Sequence, residues 1–91
     1  MQSLNNYKNI TTATTTTFAG TETNRVVLGA INVNKILTGT LQIKAGTVLI
    51  GTLAAATPIG EYWYSNTGTE IESLTIVNGS TEDITVFYRN I

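Results

Sequence analysis

The run Arg25-Val26-Val27-Leu28-Gly29-Ala30-Ile31-Asn32-Val33 decides the fold. Read as a strand, with side chains alternating, it places Val27, Gly29, Ile31 and Val33 on one face and Val26, Leu28 and Ala30 on the other. Apolar residues on both faces predict a central strand covered on both sides. Asn32 and Asn34 mark its polar exit.

Working outward toward the C-terminus, Leu41 and Ile43 alternate with Thr40, Gln42 and Lys44, the pattern of a half-buried strand. Ala45-Gly46 joins it to Thr47-Val48-Leu49-Ile50-Gly51-Thr52-Leu53, so the two strands read as a hairpin. Ala54-Ala55-Ala56 has helix propensity, but Thr57-Pro58 stops it within a turn and predicts a loop. Glu61 to Tyr64 reads as a short aromatic strand, Ser65 to Gly68 as a turn and Ile71 to Val77 as a strand. Asn78-Gly79 is the strongest hairpin dipeptide in the chain, and Ile84, Val86 and Tyr88 alternate in a last strand.

Toward the N-terminus the apolar content falls away. Ala19 to Asn24 reads as a turn, and Tyr7 to Phe18 has β propensity but almost no apolar face. A strand polar on both sides belongs at a sheet edge or against another subunit. Residues 1–9 read as a polar arm and residues 10–91 as one β domain. About seven strands with no helical period predict an all-β fold, an antiparallel sandwich (jelly-roll-like) or a small barrel.

Composition narrows the function by exclusion. Threonine supplies 18 of the 91 residues and suits pleated surfaces. Charged residues are 12% of the chain, and Lys8, Arg25, Lys35, Lys44 and Arg89 are scattered rather than gathered into a basic stripe. Nucleic acid is therefore not an expected partner. No stretch approaches the roughly 20 apolar residues of a membrane helix, and Met1 to Asn6 has no signal-peptide character. The chain reads as soluble, with no membrane partner, made in a reducing cytoplasm without disulfides, since it lacks cysteine.

It also lacks histidine, which removes the commonest general base and metal ligand. Glu70 and Glu72 share a strand face and resemble an acid–base pair, while Glu82 and Asp83 are adjacent near a turn and resemble a cation site. Both pairs read more simply as solvated charges, so neither catalysis, a metal nor any cofactor is expected. A small carbohydrate-active enzyme built on Glu70 and Glu72 would find little room for a cleft. Of the aromatic strand Tyr62-Trp63-Tyr64, Trp63 must face away from both tyrosines, so one side fills the core. The other side is left for a partner or a sugar ring. The glycosylation triplets Asn9-Ile10-Thr11 and Asn78-Gly79-Ser80 carry no weight without a secretion signal. The candidate partner-binding residues are Tyr7, Ile10, Thr12, Thr14, Thr16 and Trp63.

The order of segments adds a resemblance. A threonine-rich strand over Ile10–Thr17 is followed by Leu28–Lys35, Gly46-Thr47-Val48-Leu49-Ile50-Gly51-Thr52-Leu53 and an aromatic strand. Ser73-Leu74-Thr75-Ile76-Val77-Asn78-Gly79 and Asp83-Ile84-Thr85-Val86-Phe87-Tyr88-Arg89 complete it. Over about 80 residues this pattern resembles small all-β virion proteins of tailed bacteriophages, in particular capsid decoration (cement) proteins. The resemblance implies a structural protein on the outer surface of the phage head that binds the major capsid protein and stabilises the shell as a homotrimer. It also admits a small tail, neck or fibre-associated protein, structural or receptor-binding. It transfers no catalytic residue. The Ala54–Ala56 loop and the Tyr62–Tyr64 strand depart from the pattern.

Overall fold

Gly29 changes the face assignment of the central strand. In the computed structural model, which describes residues 6–19, 23–63 and 70–90, Leu28 stands opposite Tyr88 and Ala30 opposite the very next residue, Phe87. Gly29 is the extra residue of a β-bulge, so the alternation shifts phase there. Val26 and Leu28 before the bulge therefore join Ile31 and Val33 after it on the core side. Val27 and Ala30 are buried on the opposite, outer face, so the strand is central and carries buried side chains on both faces, although the second sheet covers only one of them.

Nine strands occur among the described residues: β1 (Asn6–Ile10), β2 (Thr14–Thr17), β3 (Arg25–Val33), β4 (Leu41–Ala45), β5 (Val48–Leu53), β6 (Gly60–Trp63), β7 (Glu70–Glu72), β8 (Leu74–Asn78) and β9 (Ile84–Asn90). They form two antiparallel sheets. The first runs β1-β9-β3-β6, with β7 also on β3, and the second runs β2-β8-β4-β5. The architecture is all-β, a small sandwich. Seven stretches read as strands become nine because two of them pass from one sheet to the other. Tyr7–Phe18 leaves the first sheet after Ile10 and enters the second at Thr14. The stretch 70–78 turns at Ser73, which has φ 52° and donates its N–H to the Asn24 carbonyl at 2.7 Å.

The core lies between the sheets. Ile10, Val26, Leu28, Ile31, Val33, Ile84 and Val86 of the first pack against Leu41, Ile43, Leu53, Leu74 and Ile76 of the second. Phe18 closes one end with its ring edge toward Tyr88, centroids 4.9 Å apart. Tyr62 packs against this cluster and donates its hydroxyl to the Pro58 carbonyl at 2.8 Å, so one aromatic of its strand does fill the core.

Two turns contrast. The β4–β5 hairpin forms as read, with Gly46 at φ 62°, a conformation glycine adopts without a Cβ penalty. Asn78-Gly79 forms no hairpin: β8 belongs to the second sheet and β9 to the first, so this segment is a crossing between layers. The Asn78 side chain is buried and donates Nδ2–H to the Thr12 carbonyl at 2.9 Å, fastening the crossing of the N-terminal strand. Ala54–Ala56 is a loop as expected, held by Ala56 N–H on the Leu37 carbonyl at 2.8 Å.

Of the stretch expected as a polar arm, residues 1–5 lie outside the described residues, whereas Asn6 to Asn9 are paired with β9. The boundary read at residue 9 falls inside a strand. Residues 20–22, Tyr64 with the turn read at 65–68, and Ile91 also lie outside the described residues.

Candidate functional site

The outer face of the first sheet carries two adjacent transverse rows set by strand register. Tyr7, Phe87 and Ala30 align across β1, β9 and β3, with the Trp63 backbone of β6 next in register, and two residues further along the strands Asn9, Thr85, Asn32 and Glu61 align in the same order. Two residues along a strand separate the rows by about 6.8 Å. Tyr7 is 72% exposed, its ring tilted against Phe87 at 6.2 Å. An apolar and aromatic row thus lies beside an amide and hydroxyl row.

The polar row is tied together through Asp83. Its Oδ1 accepts from Asn9 Nδ2 and from Asn34 Nδ2, each at 3.0 Å. Asn9 Nδ2 also reaches the Ile84 carbonyl at 2.9 Å, Asn34 Nδ2 reaches Thr85 Oγ1 at 3.1 Å, and Asn32 donates to Asn34 Oδ1. The Asn9 and Asn34 hydrogen bonds hold the Asp83 carboxyl below its ordinary pKa, with a smaller contribution from the Lys35 charge. The site is a hydrogen-bonded network on a sheet face that favours the charged form of the Asp83 carboxyl.

Glu82 behaves unlike its neighbour. Read as solvated, it is 3% exposed. Its carboxylate accepts from Thr38 N–H at 3.0 Å and Gly39 N–H at 2.8 Å, and the Thr38 hydroxyl adds a bond at 3.2 Å. Burial pushes its pKa up. The two backbone donors, the hydroxyl and the Lys35 charge outweigh that and leave it below the ordinary value. Both carboxylate oxygens are committed to the 38–39 loop, so Glu82 is a structural clasp rather than a cation ligand. No group of three or more His, Cys, Asp or Glu side chains suited to a metal occurs among the described residues.

Glu70 and Glu72 flank Arg25 on the exposed β7–β3 ladder, at 3.7 and 4.0 Å. Half-exposed pairs of this kind contribute roughly 0–1 kcal/mol. The double substitution Glu70→Gln with Glu72→Gln is therefore expected to shift the free energy of unfolding in urea by less than about 0.5 kcal/mol. A larger loss would mean that the pairs hold β7 in place.

The six residues read as partner-binding fall in four separate places. Tyr7 is exposed on the outer face, and Thr12 and Thr14 are exposed, with Thr16 half-buried, along the edge of the second sheet. Ile10 does not belong with them: it is 4% exposed and packs in the core opposite Ile84, because strand alternation puts it on the face opposite Tyr7 and Asn9. The Trp63 backbone pairs with Ala30, while its side chain lies outside the described ones.

Sequence reading missed the Asn9, Asn34, Asp83 and Thr85 cluster, since residues 49 to 76 positions apart must meet to form it. It also gave no sign that Val48, Leu49 and Ile50 would be 63%, 52% and 48% exposed. No helix is long and apolar enough to cross a membrane among the described residues. Comparison of the chain with family models, with curated proteins and with solved structures finds no match.

Proposed function

We propose that this chain is a non-catalytic structural protein of a phage particle, a decoration protein that binds the outside of the head and stabilises the shell. Strand β2 carries the reading. It pairs with β8 on one side only, and its other edge is open among the described residues. Its four threonines stay hydrated while that edge waits for a strand of another chain. The segment order that resembles decoration proteins supports the same assignment, as does the absence of histidine and cysteine chemistry.

A second reading, a tail or fibre component that contacts a receptor, is favoured by one observation. Tyr7 and Phe87 stand beside the Asn9–Asp83–Thr85 network on an open sheet face, a pairing of ring and hydrogen-bonding groups suited to a polar surface partner.

Electron microscopy of purified particles labelled with an antibody to this chain tests both. Label distributed over the head is the expected result. Label confined to the tail or its tip moves the assignment to the second reading, and unlabelled particles in a lysate that contains the chain overturn the virion assignment. On particles stripped of the protein, Thr12→Lys with Thr14→Lys is expected to rebind with lower occupancy and faster release, since lost contacts act mainly on the off-rate.

A further inference from the structure

Among the described residues the second sheet has two open edges, and they are chemically opposite. Strand β2 presents threonines, whereas β5 presents Val48, Leu49 and Ile50, three consecutive apolar side chains that are each about half or more exposed. Register separates their directions: Val48 stands opposite Ala45, and Leu49 opposite Lys44 on the other side of the sheet. Ile50 is the bulged residue between Leu49 and Gly51, without a cross-strand partner. A body lying over one face of the sheet would cover only part of this set. A strand added in the plane of the sheet covers both sides and also takes up the unpaired backbone groups.

Charge identifies the strand that fits. Sheet edges are ordinarily protected by charged side chains, and the other sheet's edge strands carry them: Lys8 on β1, Glu61 on β6, and Glu70 and Glu72 on β7. From Ala45 to Gly60 the chain has no Asp, Glu, Lys or Arg. In two-fold antiparallel pairing the strand meets a reversed copy of itself, so an edge with charges of one sign repels its copy and an uncharged one does not. The nearest charge on the neighbouring strand is Lys44. Across a β5–β5 junction the two copies of that strand are three strand spacings apart, about 14 Å, beyond the roughly 8 Å screening length at physiological salt. A partner chosen by charge would find nothing here to select it.

We propose that β5 pairs antiparallel with β5 of a second copy of this chain, joining the two four-stranded sheets into one of eight. The bulge at Ile50 bends the strand and confines the contact to a short segment, so the dimer is weak and reversible. A two-fold contact closes on itself, giving a dimer and not the homotrimer that the resemblance implies. The inference does not depend on the capsid assignment.

Sedimentation velocity of the full chain, from about 1 μM to about 1 mM, spans the affinities of a weak contact. The expected result is a reversible shift from 9.8 kDa to twice that mass. Leu49→Lys is expected to remain monomeric throughout with an unchanged circular dichroism spectrum, and Tyr7→Lys, on the other sheet, to dimerise as the parent does. Should Leu49→Lys fail to fold, Leu49→Thr keeps the strand propensity and is expected to weaken dimerisation at least tenfold. A parent chain that stays monomeric to 1 mM overturns the proposal. So does a trimer, or a dimer that folded Leu49 variants leave intact.

Discussion

Glu82→Ala is expected to lower the free energy of unfolding by about 3 kcal/mol. The substitution removes the buried carboxylate that accepts from the Thr38 and Gly39 N–H groups at 3.0 and 2.8 Å. A hydrogen bond to a charged group contributes about 1.5–3 kcal/mol, and both backbone bonds are lost. A chain of this size has about 5–14 kcal/mol in total. The loss is therefore a large share, worth at least 12 °C in melting temperature at about 4 °C per kcal/mol.

The same clasp sets a pH dependence. The Glu82 pKa is lower folded than unfolded, so its contribution is present above the ordinary carboxylate range and is lost as pH falls through the lowered folded value. Urea denaturation of Glu82→Gln is expected to show a shallower loss of stability below about pH 4.3, the unperturbed glutamate pKa. A Glu82→Ala variant as stable as the parent at pH 7 would show that the loop is held by something else.

Much of the fold is legible in the chain because β-strands announce their own covering. The Leu41–Ile43 alternation, the Gly46 turn and the doubly apolar Arg25–Val33 run all describe local backbone and one cross-strand layer, and all three occur. Assignments that depend on which sheet receives a strand fare worse. Asn78-Gly79 has the right residues for a hairpin, yet the packing of Ile76 and Ile84 in different sheets carries the chain across instead. Adjacent acidic residues look alike in sequence, but crossing from one layer to the other turns Glu82 inward to the 38–39 loop and leaves Asp83 on the outer face. The candidate site is less visible still. Asn9, Asn34 and Thr85 are unremarkable polar residues until three strands place them around one carboxylate oxygen or beside it.

Leu28→Ala and Ile31→Ala are each expected to cost about 3–4 kcal/mol, within the 2–5 kcal/mol typical of buried leucine and isoleucine truncations. Both side chains are fully buried in the one core cluster, although they are three positions apart and an unbroken strand would send them to opposite faces. The Gly29 bulge is the reason, and it makes the double substitution the sharper test. Two cavities in one core approach the whole stability of a 91-residue domain, so Leu28→Ala with Ile31→Ala is expected to be largely unfolded at 25 °C by circular dichroism. Deleting Gly29 is expected to do far less. Without it, Val26, Leu28, Ile31 and Val33 fall into strict alternation on one face, and the partners Tyr88 and Phe87 stay opposite Leu28 and Ala30. A folded double variant would mean that one of the two side chains lies outside the core, and an unfolded Gly29 deletion would mean that β3 depends on the twist the bulge supplies.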